Sequence, residues 1–238
     1  MDSILSSIHL ILGALPYMLG GIGWTALLIL GALAVGLVIG VPLAVGQVYG
    51  PWPVRRLVGL YVWLFRGVPI LVQIYLFYFG ILPFLHHLPG LGWLPLESAV
   101  VAAVTVLGLT SGAYQSQIFR GSIQSLPAGQ FKAARALGMT DFTAIRSIIL
   151  PQALRLSIPA WSNEYSILLK DSALAFSIGV LEIMSRTRSV AATAHQPLPM
   201  ALFAGVLYFI LTWVGIKALR TLEQKTKIAG YAREGSIT

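Results

Sequence analysis

The sequence predicts an all-α membrane protein with five transmembrane helices. Of its 238 residues, 57% are apolar and 10% are charged, whereas a soluble globular domain carries about 25% charged residues. Five predominantly apolar stretches have the length of roughly 20 residues that is needed to cross a hydrocarbon core of about 30 Å. They lie at 20–48, 57–84, 98–119, 152–175 and 199–219.

The five predicted spans differ in polarity. The first has no charged residue, the second contains only Arg66, and the fourth is the least apolar because it carries Glu164, Lys170 and Asp171. Ionisable side chains inside a span are costly, so they mark a path, a pair or a binding site.

Lysine and arginine residues predict the orientation, because short loops rich in them stay on the cytoplasmic side. The segment before the first span and the loop 83–96 have none, and 172–199 has only Arg186 and Arg188. We therefore expect the N-terminus outside and the C-terminus in the cytoplasm. The net charge is +8, but the basic residues are distributed according to the side of the membrane, so the charge does not indicate nucleic acid binding. The cytoplasmic set is Arg55, Arg56, Arg120, Lys132, Arg135, Arg146, Lys217, Arg220, Lys225, Lys227 and Arg233.

The chain divides into a leading helix, one membrane domain and a tail. Residues 1–19 lack the basic region of a cleavable signal and run into the first span, so we expect them to be retained. Their apolar face predicts a helix on the outer surface; it comprises Ile4, Leu5, Ile8 and Leu12. Residues 20–223 form the membrane domain and 224–238 a cytoplasmic tail. No soluble domain fits, so any ATPase or receptor is expected to be a separate chain.

The sequence has no familiar catalytic or metal-binding pattern. His86 and His87 share an outer loop with Glu97 as the nearest carboxylate, which is a weak metal signal. Ser111 has no intramembrane histidine to activate it as a nucleophile. We therefore expect no enzyme activity, no metal and no cofactor in this chain.

A short polar helix is predicted on the cytoplasmic side at "GQFKAARALG", residues 129–138. Pro127 suits its first turn and Gly138 suits a left-handed end. Phe131, Ala134 and Leu137 recur at a spacing of three and predict a small apolar face. Amphipathicity alone does not decide whether this helix docks on a partner or packs on its own bundle.

The segment "GQFKAARALGMTDFTAIRSIILPQALR" resembles the EAA loop of permease subunits of ABC importers. Four further segments are similar, in order, to the polar amino acid branch of that family, the histidine, glutamine and arginine type. They are "LFRGVPILVQIYLFYFG" at 64–80, "SGAYQSQIFRGSIQSLPAGQ" at 111–130, "IPAWSNEYSILLKDSAL" at 158–174 and "LYFILTWVGIKALRTLE" at 207–223.

This resemblance implies a type I importer bundle in the bacterial cytoplasmic membrane, with residues 127–151 as the coupling loop. Its helix would insert into a groove of an ATPase dimer, which binds the ATP and Mg²⁺. A second permease chain, identical or paralogous, an extracytoplasmic amino acid-binding protein and membrane lipid complete the implied partners. The matching coupling positions are Phe131, Lys132, Ala133, Ala134, Arg135 and Gly138. Lys132 stands where the motif usually has Glu, which is either a change matched in the partner or simple tolerance.

Two carboxylates predict a cation site. Glu164 and Asp171 are seven residues apart, so they share one helix face, with Asn163 and Lys170 on the neighbouring stripe. Two carboxylates in a low dielectric attract a cation, or one of them stays protonated. The resemblance implies that acidic residues at these positions bind the substrate in basic amino acid permeases. Alternatively, Glu164 pairs with Arg66, and Asp171 pairs with Lys170, Arg186 or Arg188.

Three more residues are candidates for the cavity wall. Arg66 precedes Gly67 and Pro69, which loosen the second span, although snorkelling to the inner surface is an alternative. Tyr114 and Gln117 lie one turn apart in the third span, and Gln117 replaces a glutamate common in the family.

The expected function is the permease subunit of an ATP-driven ABC importer for a polar amino acid, favouring arginine, lysine or histidine. The alternatives are an importer of an uncharged or acidic amino acid such as glutamine, cystine or glutamate, or of an opine. An ion-coupled secondary transporter would need internal repeats that the sequence does not display, and a purely structural subunit would need no substrate site.

Overall fold

The computed structural model describes residues 2–227, with side chains from His9 onward, and no strand occurs in that range. The predicted all-helical fold class is confirmed for these residues. Two π-helical turns, Phe77–Ile81 and Ile145–Ile149, and a 3₁₀ segment, Ala173–Ile178, continue the helices before them. The α-helices are α1 (Asp2–Leu19), α2 (Gly21–Tyr49), α3 (Trp52–Gly67), α4 (Ile70–Leu76), α5 (Leu82–His86), α6 (Ala99–Gln124), α7 (Ala128–Ala136), α8 (Asp141–Ala144), α9 (Leu150–Ser172), α10 (Ile183–Ala194) and α11 (Pro197–Thr226).

Three helices are long and apolar enough to cross a membrane by themselves. They are α2, α6 and α11, with 29, 26 and 30 residues, and each exceeds the roughly 20 residues required. They correspond, within one residue at their starts, to the predicted first and third spans, and α11 contains the predicted fifth.

The predicted second span is not one continuous helix. Helix α3 ends at Gly67, and the chain resumes at Ile70 after a bend of 103°. The cause is Pro69, which has no N–H to donate to Phe65 four residues earlier. The Gln73 side chain compensates, since its Nε2 donates to Phe65 O at 3.1 Å and to Val68 O at 2.8 Å. Its Oε1 accepts from Thr110 Oγ1 of α6 at 3.0 Å.

The predicted fourth span corresponds to α9, which has 23 residues and a length of about 35 Å. Its polar residues set it apart from the three long apolar helices. The count of five spans and the orientation of the termini therefore remain predictions from the sequence.

Both π-helical turns come just before a proline. Pro83 lies two residues after Ile81, and Pro151 lies two residues after Ile149. A proline ring clashes with the carbonyl four residues earlier in an α-helix. A wider turn moves that carbonyl aside, and in each case the following leucine N–H donates five residues back, to Phe77 O and Ile145 O.

Helices α2 and α6 pack closely because glycines lie at their contact. A Cβ atom at Gly36 of α2 would lie 2.9 Å from Ser111 Oγ of α6, which a real side chain does not tolerate. The buried core around this contact is formed by small and medium side chains, including Leu28, Ala32, Ala103 and Leu107. This close approach brings the polar groups of α6 against the backbone of α2.

Glu182, which is fully buried, joins helices at one end of the bundle. Its carboxylate caps α10 by accepting from Met184 N at 2.7 Å and Ser185 N at 2.6 Å, and it also accepts from Tyr208 OH of α11 at 2.6 Å. Burial raises the pKa of Glu182, and these hydrogen bonds act in the opposite direction. Helix α10 is thereby fixed to α11.

Helix α1 is attached to the same end of the bundle through Arg186, which donates to Tyr17 O at 3.0 Å. Of its predicted apolar face, Leu12 is 60% exposed, and the side chains of Ile4, Leu5 and Ile8 lie outside the described ones. Its placement on the outer surface stays a prediction. The predicted tail from 228 onward also lies outside the described residues.

Candidate functional site

A buried carboxylate lies at the meeting point of three helices. Glu164 of α9 is 4% exposed, and its Oε1 accepts a hydrogen bond from Ser111 Oγ of α6 at 2.8 Å. Ser111 Oγ in turn accepts from Gln115 Nε2 at 3.0 Å. The same amide nitrogen donates to Leu33 O of α2 at 3.2 Å. A chain of hydrogen bonds therefore runs from the α2 backbone to the carboxylate.

No salt bridge joins this carboxylate to a basic group in the described part of the chain, although Arg66 is near enough to interact with it electrostatically. Among the side chains of residues 9–227, the only salt bridge joins Arg135 to Asp141 at 3.3 Å. Glu164 with Arg66 and Asp171 with Lys170, the predicted structural pairs, interact electrostatically but do not form salt bridges. Two of the arginines that could have paired with them contact aromatic rings instead. Arg66 lies 4.6 Å from the centre of the Tyr114 ring, and Arg188 lies 4.4 Å from that of Phe176.

The other predicted substrate residues are placed around this centre to different degrees. Asp171 is half-buried two turns along α9, with the buried Leu168 between it and Glu164, and Asn163 and Lys170 are exposed. Tyr114 lies on α6 one helical turn after Ser111. Gln117 instead donates to Gln47 Oε1 of α2 at 2.8 Å, so its amide is already engaged.

Sequence reasoning missed the parts played by Ser111, Gln115 and Gln73. It considered Ser111 only as a nucleophile and did not weigh the two glutamines. These residues could have been found because they are polar and lie within apolar spans, where polar side chains make hydrogen bonds between helices. No group of three or more potential metal ligands occurs among residues 2–227.

The predicted cytoplasmic helix is present as α7. Its end is closed by two backbone bonds, from Gly138 N to Arg135 O at 3.0 Å and from Met139 N to Ala134 O at 3.1 Å. Gly138 has φ of +82°, so the predicted left-handed end is confirmed. This is a Schellman arrangement, which ends a helix sharply.

The predicted coupling residues fall on opposite sides of α7. Ala134 is 2% exposed, and Phe131 packs on Tyr49 of α2 with ring centres 5.0 Å apart. Lys132, Ala133 and Arg135 are exposed. One side therefore anchors the helix to its own bundle and the other is open to a partner.

The predicted apolar face of this helix was partly wrong. Leu137 does not join Phe131 and Ala134, because α7 ends at Ala136 and the turn carries Leu137 outward. Leu137 is 83% exposed and Phe142, just beyond the turn, is 70% exposed. The open side of α7 thus continues into an apolar surface.

Long apolar helices, a bent helix pair and a polar centre among them define a membrane permease. The chain belongs to the family described as binding-protein-dependent transport system inner membrane component, whose profile matches residues 36–228. Permeases of this family are non-catalytic membrane subunits of ABC importers, and the ATPase is a separate subunit.

Curated relatives are permeases for amino acids and opines. The nopaline transport system permease protein NocM of Agrobacterium fabrum is 34% identical over 208 residues, 87% of this chain and 86% of NocM. The histidine/lysine/arginine/ornithine permease HisM of Salmonella typhimurium is 35% identical over 211 residues, 88% of this chain and 89% of HisM. The octopine permease OccM of Rhizobium meliloti is 35% identical over 208 residues, 87% of this chain and 84% of OccM.

Solved structures share the fold. One, an amino acid ABC transporter with histidines, has a TM-score of 0.75 and 29% identity, covering 90% of this chain and 96% of that one. An inward-facing MetNI methionine ABC transporter has a TM-score of 0.74 and 21% identity, covering 89% and 97%. This chain is therefore the permease of an ABC amino acid importer, a multi-pass component of the inner membrane.

Proposed function

We propose that this permease imports a basic amino acid and that Glu164 binds the cationic side chain of the substrate. The observation that carries this proposal is a carboxylate that is 4% exposed and forms no salt bridge with the side chains of residues 9–227, with Arg66 acting on it only from beyond salt-bridge distance. A buried carboxylate without a salt bridge is expensive. A guanidinium or ammonium group passing through the bundle would compensate it.

Asp171 is the proposed second acidic ligand. It lies seven residues after Glu164 on the same face of α9 and remains half-buried. The two carboxylates are separated by about two helical turns. They would therefore offer the cationic side chain of the substrate two binding positions along α9. Asn163, Tyr114, Arg66 and Gln117 are proposed as further residues of the path, with Gln117 the least favoured because of its bond to Gln47.

The relatives allow two substrate classes. HisM is named for histidine, lysine, arginine and ornithine, which agrees with a cationic substrate. NocM and OccM are named for nopaline and octopine, so an opine is the second candidate. Uncharged or acidic amino acids such as glutamine, cystine or glutamate are less favoured, because they have no cationic side chain for Glu164 and offer only the α-ammonium group that all amino acids share.

Substitution of Glu164 by Gln tests the substrate assignment. We expect arginine and lysine uptake by the complete importer in proteoliposomes to fall about tenfold or more, because hydrogen bonds to charged groups contribute about 1.5–3 kcal/mol. Assembly with the ATPase should persist. Glu97→Gln, at an exposed site in the outer loop, is the matched control and should transport normally. Unchanged arginine uptake by Glu164→Gln would remove the substrate proposal.

The proposed working unit contains two permease chains, an ATPase dimer inside and an amino acid-binding protein outside. The exposed polar stripe of Asn163 and Lys170 on α9 supports a second permease chain, since polar side chains in a membrane face the bundle interior. The second chain is either a copy of this one or a paralogue. We place the N-terminus outside and the C-terminus in the cytoplasm, according to the distribution of lysine and arginine.

Helix α7 is the proposed contact with the ATPase. Its exposed Lys132, Ala133 and Arg135 face away from the bundle, while Phe131 and Ala134 hold it to α2 and the core. A helix fixed on one side and closed by Gly138 transmits a displacement as a rigid element. An ion-gradient mechanism is the rival, and uptake that continues without ATP would favour it.

A further inference from the structure

We propose that Gln115 is a positioning residue for Glu164 and that it acts through the Ser111 hydroxyl. This inference rests on the proposed function, in which Glu164 binds the substrate cation. Gln115 would not touch the substrate. Its part would be to fix the direction of one hydrogen bond and so to hold the carboxylate in one orientation.

The direction of each bond follows from the chemistry of the groups. A serine hydroxyl has one hydrogen to donate and two lone pairs, whereas an amide NH₂ can only donate. Gln115 Nε2 therefore donates to Ser111 Oγ at 3.0 Å, and the hydroxyl hydrogen is left for the acceptor at 2.8 Å, Glu164 Oε1. The hydroxyl cannot turn towards the amide nitrogen of Gln115 without bringing hydrogen against hydrogen.

Leu33 fixes the orientation of the amide. Gln115 Nε2 also donates to Leu33 O at 3.2 Å, and a reversed amide would place Gln115 Oε1 against that carbonyl, acceptor against acceptor. This hydrogen bond depends on Gly36, since a Cβ there would collide with Gln115 Nε2 and would lie 2.9 Å from Ser111 Oγ. The close packing of α2 on α6 therefore determines the direction of each hydrogen bond from Leu33 to Glu164.

Gln115 occupies its position at a cost. Its Oε1 is one of two buried side-chain polar atoms without a hydrogen-bond partner in the part of the chain that the structure describes. An unpaired buried acceptor is unfavourable and calls for an explanation. An apolar side chain of similar size would avoid the penalty, so we infer that the amide donor is what this position requires.

The consequence for Glu164 is a division between its two oxygens. Oε1 is occupied by Ser111, and no described residue donates a hydrogen bond to Oε2. A carboxylate held by one oxygen presents the other in a fixed direction to a cation. Precise placement of a ligand group is what recognition of a guanidinium or ammonium requires.

Two substitutions test the inference in the complete importer. Ser111→Ala removes the donor to Glu164, and Gln115→Met removes the amide donor while keeping the length of the side chain. We expect each to reduce the initial rate of arginine uptake about tenfold. Ser157→Ala is the matched control, because Ser157 is also a buried serine but donates only to Leu154 O in its own helix at 2.7 Å.

A double-mutant cycle separates positioning from packing. If Ser111 and Gln115 act through the carboxylate, each substitution should change uptake in wild type but have little further effect in Glu164→Gln. Equal fold-reductions in both backgrounds would mean a structural role and would overturn the inference. Copurification with the ATPase reports assembly, and if Ser111→Ala fails to assemble, Gln115→Met carries the test.

Failure of this inference is distinguishable from failure of the proposed function. Uptake within about twofold of wild type in both Ser111→Ala and Gln115→Met, together with loss of uptake in Glu164→Gln, overturns the positioning role alone. Normal uptake in Glu164→Gln overturns the substrate assignment, and the positioning role with it.

Discussion

At the scale of single residues, Gln73 shows how this chain tolerates a proline inside a bent helix pair. Pro69 leaves Phe65 O without its helical donor, and the Gln73 amide supplies one, with Val68 O as a second acceptor. The remaining Gln73 oxygen is bound by Thr110 of α6. One side chain therefore satisfies the bend and fastens it to the neighbouring helix.

Gln73→Leu should destabilise the bend. Two backbone carbonyls and the Thr110 hydroxyl would lose their partner, and each unsatisfied buried group costs about 1–3 kcal/mol. We expect a lower midpoint of thermal unfolding for the purified importer, measured by the loss of monodisperse complex on heating. Gln124→Leu, at an exposed position of α6, is the control. An unchanged midpoint in Gln73→Leu would contradict this role of the side chain at the bend.

The sequence indicated the ionisable residues of the site more readily than the neutral ones. Glu164 stands out because a charge within an apolar stretch is rare and needs a reason. The contributions of Ser111, Gln115 and Gln73 depend on which carbonyl or carboxylate lies across a helix contact. That information is in the packing of α2, α6 and α9 and has no local signature in the chain.

At the scale of elements, α7 has two sides with different tasks. Phe131 and Ala134 pack on the bundle, and the exposed side runs through Lys132 and Arg135 to the turn at Gly138. The sequence predicted this helix and its end well, because proline and glycine act locally. It did not predict the 103° bend between α3 and α4, because prolines are tolerated in many membrane helices.

Gly138→Val should weaken coupling to the ATPase. Gly138 has φ of +82°, and a left-handed conformation costs a residue with a Cβ about 1–2 kcal/mol, with β-branched residues disfavoured further. The turn should open and α7 should lose its fixed end. We expect reduced stimulation of ATP hydrolysis by the binding protein while basal hydrolysis persists.

The control for that experiment is Gly129→Ala. Gly129 lies inside α7, and a Cβ added there would have no atom within 4 Å, while alanine favours a helix over glycine by about 1 kcal/mol. This variant should couple at least as well as wild type. Normal stimulation in Gly138→Val would argue against α7 as the contact with the ATPase.

At the scale of the whole molecule, the described surface is uneven in polarity. The polar stripe of α9 is exposed, and large apolar side chains cover the outer faces of α3 and α11, among them Trp63 at 72% and Phe209 at 70% exposed. Apolar surface suits lipid, whereas the stripe needs another polar surface. This asymmetry supports a pair of permease chains that meet around α9.

Native mass spectrometry of the purified importer tests that assembly. We expect two permease chains per particle, each of 25.7 kDa if both are copies of this chain, together with two ATPase subunits. A paralogous partner would appear as a second permease mass. A particle with a single permease chain that still transports arginine would contradict the paired arrangement.

The π-helical turn Ile145–Ile149 sets the rotational phase of α9. One additional residue in a turn rotates everything beyond it by about 100° relative to an uninterrupted α-helix. This turn lies between α8, which follows α7, and the stretch of α9 that carries Glu164. Deleting a single residue there would swing the carboxylate by about a quarter of a revolution around the helix axis, away from Ser111. The angular alignment of the carboxylate with α7 and α8 thus depends on the wide turn that precedes Pro151.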